Sequence, residues 1–258
     1  MDPVDLSGEL ELTGRLVAAS NASFLAVVHG SDGEIPVVHK PIRGERELWD
    51  FPTHTLGLRE VAAHRLSAAG GFDVVPYTTM VEGPYGPGSA QRWVGPVPTG
   101  EADPHPDSAL VDLVPADQVP PGWHTVLHAE DEERHLLAVV HADDPRLRRI
   151  AVFDALANNA DRKAGHLLLD DGHLFGCDHG VSFHVDDKLR TLLWGWAGEP
   201  LDEAERTMVT TALAHLDELD EWLSAPEIEA IADRGARLLE DGLPGPRDDA
   251  PAVPWPLW

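Results

Sequence analysis

FDALANNADRKAGHLLLDDGHLFGCDHGVSF, residues 153–183, is the stretch on which the reading of the chain turns. It continues the run DDPRLRRIAVFDALANNADR (143–162), in which Ile150, Phe153 and Ala157 recur at helical spacing, so a helix runs into a polar loop. HLLLDDGHLFGCDHG then reads as a hairpin with its turn at Asp171-Gly172, a dipeptide suited to the positive backbone angles of a tight β-turn. Asp178 follows the apolar run LFGC, at a strand end where a merely solvated charge is less expected. Asp161 in the loop, His166 at the start of the first strand and Asp178 at the end of the second can converge on one cleft.

Phosphoryl transfer asks little covalent chemistry of a protein: a carboxylate to orient the acceptor hydroxyl, one or two metal ligands, and a lysine on the phosphates. The loop and hairpin supply most of that set. The segments NADRKAGHLLL and DHGVSF resemble the catalytic and metal-binding loops of phosphoinositide 3- and 4-kinases and of the related HipA-type bacterial serine kinases, within the protein-kinase-like superfamily. The resemblance is nearest to an actinobacterial group of unassigned substrate. It implies a catalytic role for Asp161 and a metal role for Asp178. His166 falls where those kinases carry an asparagine metal ligand, and Lys163 where they carry histidine. Imidazole favours softer ions than a carboxamide does, so the cofactors implied are ATP with Mg2+ or Mn2+.

Upstream, ELELTGRLVAA, SFLAVVHG and IPVVHK read as an antiparallel meander, and LGLREVAAHRLSAAGG (56–71) as a helix stopped by its two glycines. FDVVPYTTMVEG and SAQRWVG add two strands, giving a five-stranded sheet with one helix. Lys40, closing the third strand, takes the place of the lysine that pairs with nucleotide phosphates, and Glu60 that of the glutamate that anchors it. The small residues of VAASNASF (17–24), among them Ser20 and Ser23, would let backbone amides approach phosphate. Gln91, Trp93 and Val94 lie where a hinge would receive the adenine. Arg59 and Arg65 read as solvated or paired with surface acids.

Residues 96–122 are rich in Pro, Asp and Gly, the composition of a boundary between lobes. The expected architecture is α+β and protein-kinase-like: an N-lobe over 8–95 built on an antiparallel sheet, a mainly helical C-lobe over 96–242, and a Pro/Trp-rich tail over 243–258. The helical stretch 201–243 is expected to break at Ala225-Pro226, and Trp255 and Trp258 offer a latch onto the body. Trp194 and Trp196 read as packing residues, Asp154 as a carboxylate that hydrogen-bonds the catalytic loop, and HAEDEERH (128–135) as a solvated charge run.

Composition excludes several function classes. Lys plus Arg number 19 against 45 Asp plus Glu, a net of 19 − 45 = −26 over 258 residues, which repels nucleic acid and anionic membrane surfaces. ATP is compatible with that field, because metal and lysine neutralise it locally. Cys177 is the single cysteine, which excludes an internal disulfide, and no HExxH or paired CxxC spacing supports zinc. No run reaches the roughly 18 apolar residues of a membrane span, and the acidic start lacks the features of a signal peptide. The expectation is a cytoplasmic ATP-dependent kinase acting on a small-molecule or protein hydroxyl, without membrane insertion and with room for a protein partner. The alternatives are a nucleotide-binding pseudokinase acting through a partner and an adenylyl transferase using the same cleft.

Overall fold

The computed structural model describes residues 4–16, 21–31, 33–97 and 109–258, and the fold is α+β with antiparallel sheets. The first sheet holds β1 (Glu9–Arg15), β2 (Phe24–Gly30), β3 (Gly33–Pro41), β4 (Thr78–Gly83) and β5 (Gly86–Arg92) in the order β1-β2-β3-β5-β4. Because side chains alternate along a strand, Ile35 and Val37 of β3 enter one face, where they join Leu10, Ala26, Val28 and Ala90. His39 keeps that side, and Lys40 takes the other. There it meets α1 (Leu56–Ala69). The start of α1 is held by Glu45, whose carboxylate accepts from the amides of Gly57 at 2.7 Å and Leu56 at 3.2 Å, satisfying donors that a helix start leaves free.

Arg59 of α1 is neither solvated nor paired with a surface acid, the expectation for its helix: it is 1% exposed, and its acidic partner is buried as well. Its guanidinium donates to the carbonyl of Ser182 at 2.6 Å and to Glu227 of α4 (Ala225–Asp241), and lies 4.9 Å from the Phe51 ring centre. A buried charge persists only where partners replace its water, and these come from segments far away in sequence. Arg59 therefore ties α1 to the helical part of the chain. Arg65 is exposed, as expected.

The stretch after residue 96 holds more strand than the composition suggested. β6 (Val111–Pro115), β7 (Trp123–Glu130) and β8 (Leu136–Ala142) form an antiparallel sheet in the order β6-β8-β7. Only β8 is mostly buried, while β6 and β7 keep polar, half-exposed faces. β6 lies inside the expected boundary segment, and residues 128–130 of the expected charge run belong to β7. The second half is accordingly mixed rather than mainly helical.

α2 (Pro145–Ala157) starts on Asp144, which accepts from the Arg146 amide, and ends on Asn158 in the left-handed conformation. β9 (Leu167–Asp170) and β10 (His173–Gly176) pair across Asp171 and Gly172, both at positive φ, as the sequence predicts. α3 (Glu203–Leu213) and α4 each begin with a capping box, Asp202 with Glu205 and Ser224 with Glu227. Ala225-Pro226 is thus the start of α4 and not the break, because proline suits the first helical turn. The main core joins α1 to α4 through Phe72, Ile150, Phe153, Leu156, Leu192, Val209 and Ile231.

The tail docks, but by other residues than expected. Trp255 is 85% exposed and Trp258 45%, whereas Val253 and Leu257 pack on the core. The carbonyl of Ala252 accepts from the Thr191 amide and the Trp194 indole, and that of Leu257 from the Ala164 amide. Trp196 is buried against His124 and His141. No helix among the described residues is long and apolar enough to cross a membrane.

Candidate functional site

Lys40 is the centre of the site. Its ammonium donates to Glu60 Oε1 at 2.5 Å and to Asp178 Oδ1 at 2.8 Å, which draws β3, α1 and the end of the 167–176 hairpin onto one point. The second oxygen of Glu60 accepts from the His179 amide at 3.0 Å. Glu60 is 2% exposed, and burial holds its carboxyl above the usual range despite Lys40. Burial alone would depress Lys40, but Asp178 and Glu60 outweigh it and raise its pKa. Asp178 is half-exposed; burial opposes its charge, yet Lys40 and then His166 hold its carboxyl well below normal. The Lys40 charge therefore lies shared between two carboxylates.

His166 closes a short 3-10 turn (Ala164–His166), and its Nε2 lies 3.5 Å from Asp178 Oδ2. Burial pushes the imidazole down to about 3, so it is neutral, with a lone pair available at neutral pH. A nitrogen and a carboxylate oxygen facing each other at that separation form a fitting pair of donors for one divalent cation. His166 Nδ1 is buried without a hydrogen-bond partner. Asp178 itself stands at φ 59°, a left-handed conformation that aspartate tolerates better than most residues and that turns its carboxylate out of the strand.

Asp161 sits on a loop held from beneath. Arg162, fully buried, donates through Nε and Nη2 to Asp154 at 2.8 and 2.9 Å, and through Nη1 to the carbonyl of Cys177 at 2.8 Å. Its Nη2 also lies 2.7 Å from His179 Nε2, which can accept because burial keeps that ring neutral. Asn159 donates to Asp154 at 3.0 Å and accepts from the Asp161 amide at 3.0 Å. The ion pair of Asp154 and Arg162 thus fixes the loop bearing Asp161 to the strand end bearing Asp178. Burial raises the Asp161 carboxyl, Lys163 at 3.2 Å pulls it down, and the net is upward. A carboxylate with raised proton affinity can take a proton from a hydroxyl placed beside it.

The structure brings Lys40, Glu60, His166 and Asp178 into direct contact, and Asp161 within electrostatic reach of Asp178. It treats the other candidates differently. Ser23 is buried at the entry to β2, while Ser20 lies outside the described residues. The Gln91 side chain turns to Thr78 at 2.9 Å, and the Trp93 amide is engaged by the Pro36 carbonyl at 2.9 Å. Val94 makes no backbone hydrogen bond among the described residues, so its amide and carbonyl are open.

Two participants escaped sequence reading: Arg162 and His179. The signal for Arg162 was Gly176, where an added Cβ would stand 2.8 Å from Arg162 Nη2, so only glycine admits the guanidinium. Elsewhere Asp131, Glu133 and His135 place ligand-type atoms within 4.8 Å of one another, but Asp131 is occupied by the His135 amide and ring at the surface.

No protein-family model matches the chain. Protein Rv2133c of Mycobacterium tuberculosis (strain ATCC 25618 / H37Rv) is 44% identical over 263 residues, an alignment covering 97% of this chain and 93% of that protein.

Proposed function

We propose that this chain, which belongs to the family of Protein Rv2133c, is an ATP-dependent phosphotransferase of protein-kinase-like, two-lobed architecture, acting on a hydroxyl of a small molecule or protein. The observation that carries this reading is the junction at Lys40: one strand lysine bonded both to a buried helix glutamate and to an aspartate at a strand end 138 residues away. A lysine that only needed a surface partner would not bury a glutamate to obtain it. The five-stranded sheet with its single helix and the larger mixed part beyond it, with helices α2 to α4, suit a cleft between two lobes, 8–95 and 96–242.

Each residue then has a role that its surroundings favour. Lys40, aligned by Glu60, would bind the nucleotide phosphates, and the open backbone of Val94 would receive the adenine. His166 Nε2 and the Asp178 carboxylate would hold a divalent cation, which supplies screening of phosphate charge when bound. Asp161 would orient the acceptor and take its proton as the new oxygen–phosphorus bond forms and the bond to the leaving ADP breaks. Preorganisation comes from Arg162, which keeps the Asp161 loop from moving relative to Asp178.

Incubating the protein with γ-labelled and, separately, α-labelled ATP and a mixture of candidate acceptors tests the reaction. Phosphoryl transfer predicts label in an acceptor from γ-labelled ATP alone. Label from the α position would instead establish adenylyl transfer, and absence of both, with nucleotide binding retained, would leave a pseudokinase.

A further inference from the structure

Against a net charge of −26, one surface groove of about 580 Å³ gathers Lys188, Arg190, Arg234, Arg237 and Arg247, with Trp49 on its rim. These are five of the 19 basic residues. The acids lining the same groove are Asp186, Asp187 and Asp233, so its lining carries 5 − 3 = +2. The groove lies between the segment after Asp178, helix α4 and the tail.

Two of its guanidiniums lack the partners that explain an ordinary buried arginine. Arg234 is 5% exposed, bonded by Nε to the Leu156 carbonyl and by Nη1 to that of His184, but its Nη2 has no hydrogen-bond partner among the described residues, and Asp187 and Asp233 act on it only from beyond ion-pair distance. Burial lowers its pKa to about 10, which marks a cation held at a cost. Arg190 is half-buried, and its side chain makes no hydrogen bond or ion pair among the described residues. Arg237 and Arg247 are paired with Asp187 and Asp249, all four well exposed, and such pairs exchange readily for a better anion. Trp49, 93% exposed, offers an apolar face beside the Lys188 ammonium, 5.1 Å from its ring centre.

The geometry points to a binding site for the phosphate of a soluble phosphomonoester in this groove. Several guanidiniums converging from different elements, beside the Lys188 ammonium that Asp50 holds at 2.5 Å, suit a dianion with three acceptor oxygens better than a single carboxylate. The site adjoins the Asp161 loop: the Arg190 amide donates to the Asn159 carbonyl and the Arg190 carbonyl accepts from the Arg162 amide, each at 3.0 Å, so the two bonds straddle Asp161. That the ligand is the acceptor of phosphoryl transfer rests on the reading above, whereas the anion site does not. The acidic surface argues for a free phosphomonoester over a lipid headgroup.

Calorimetric titration at constant ionic strength, with inorganic phosphate, glycerol phosphate and vesicles carrying a phosphatidylinositol phosphate, tests the site on the full chain. Binding of both soluble probes is expected in the wild type and in Lys40→Met. Arg190→Gln, at a side chain that makes no hydrogen bond or ion pair among the described residues, is expected to weaken it by about tenfold or more, the loss of one charge-assisted hydrogen bond, with a nearly unchanged melting temperature. Arg234→Lys serves as a second variant, expected to weaken binding while keeping the charge. Absence of binding in the wild type, binding abolished by Lys40→Met but untouched by Arg190→Gln, or binding to vesicles only would each overturn the proposal. Failure of ATP to bind would sink the phosphotransferase reading and leave these titrations unaffected.

Discussion

Replacing Asp154 with Asn removes the countercharge of Arg162 while keeping almost the same volume. Both residues are fully buried, and two of the guanidinium's bonds, at 2.8 and 2.9 Å, end on that carboxylate. In the variant one of these becomes a bond to a neutral oxygen, and the new amide sets a donor against a donor. Asn159 keeps its acceptor at 3.0 Å only if the amide oxygen takes the Oδ1 place, which leaves Arg162 Nε against the new donor. Breaking a buried pair from one side costs about 3–5 kcal/mol, because the remaining charge stays uncompensated, and that is a large share of the roughly 5–15 kcal/mol that holds a protein folded. For a chain of this length the melting temperature should fall by about 6–20 °C. Differential scanning calorimetry measures it, with Glu130→Gln as a control, since Glu130 pairs with Arg134 only at the surface and should shift stability by no more than about 0.5 kcal/mol. An Asp154→Asn shift as small as that of the control would refute the view that this pair clamps the loop bearing Asp161.

Gly176→Ala should destabilise by about 1–3 kcal/mol, because its Cβ would meet Arg162 Nη2 at 2.8 Å and Cζ at 3.1 Å, whereas Gly165→Ala, with nothing within 4 Å, should be nearly neutral; urea denaturation separates the two. His141 is fully buried, accepts from the Gly195 amide at 3.0 Å, and is pushed by burial down to about 4. Since its folded pKa lies below the unfolded 6.5, the unfolded chain binds the extra proton, so this contribution is complete above pH 6.5 and is lost as pH falls toward 4. Melting curves across that window should show a shallower fall for His141→Gln than for the wild type. Arg59→Leu should detach α1 from Glu227 and lower nucleotide affinity through Glu60, with Arg59→Lys recovering little because Lys cannot span Ser182 and Glu227 together; isothermal titration with ATP reads both.

Local pattern made the first sheet and the hairpin readable, since β-branched alternation and Asp171-Gly172 act within a few residues. The order strand lysine, helix glutamate, loop aspartate, strand-end aspartate was legible through the resemblance of NADRKAGHLLL and DHGVSF to kinase loops. What escaped depends on distance. Arg59 looks like any exposed helix arginine until α4 brings Glu227 to it across 168 positions. Arg162 is hidden in a polar loop, and its burial follows from Asp154 behind it and Gly176 above it. The sheet of β6, β7 and β8 was masked because two of its strands keep a wet face and carry acidic residues, which read as loop. In the tail, tryptophan drew attention by size, yet the docking contacts belong to Val253, Leu257 and backbone carbonyls, which carry no sequence signature.

Thermal stabilisation by ATP, with magnesium and separately with manganese, bears most directly on the phosphotransferase account. Each protein is compared with its own ligand-free melting curve, for the wild type, Lys40→Met and Asp178→Asn. At about 100 times the dissociation constant the wild type should gain roughly 2.7 kcal/mol in a metal-dependent way, and both variants should lose most of that gain while remaining folded. A wild type that ATP fails to stabilise with either metal, or variants stabilised as much as the wild type, would contradict a nucleotide site at Lys40 and Asp178.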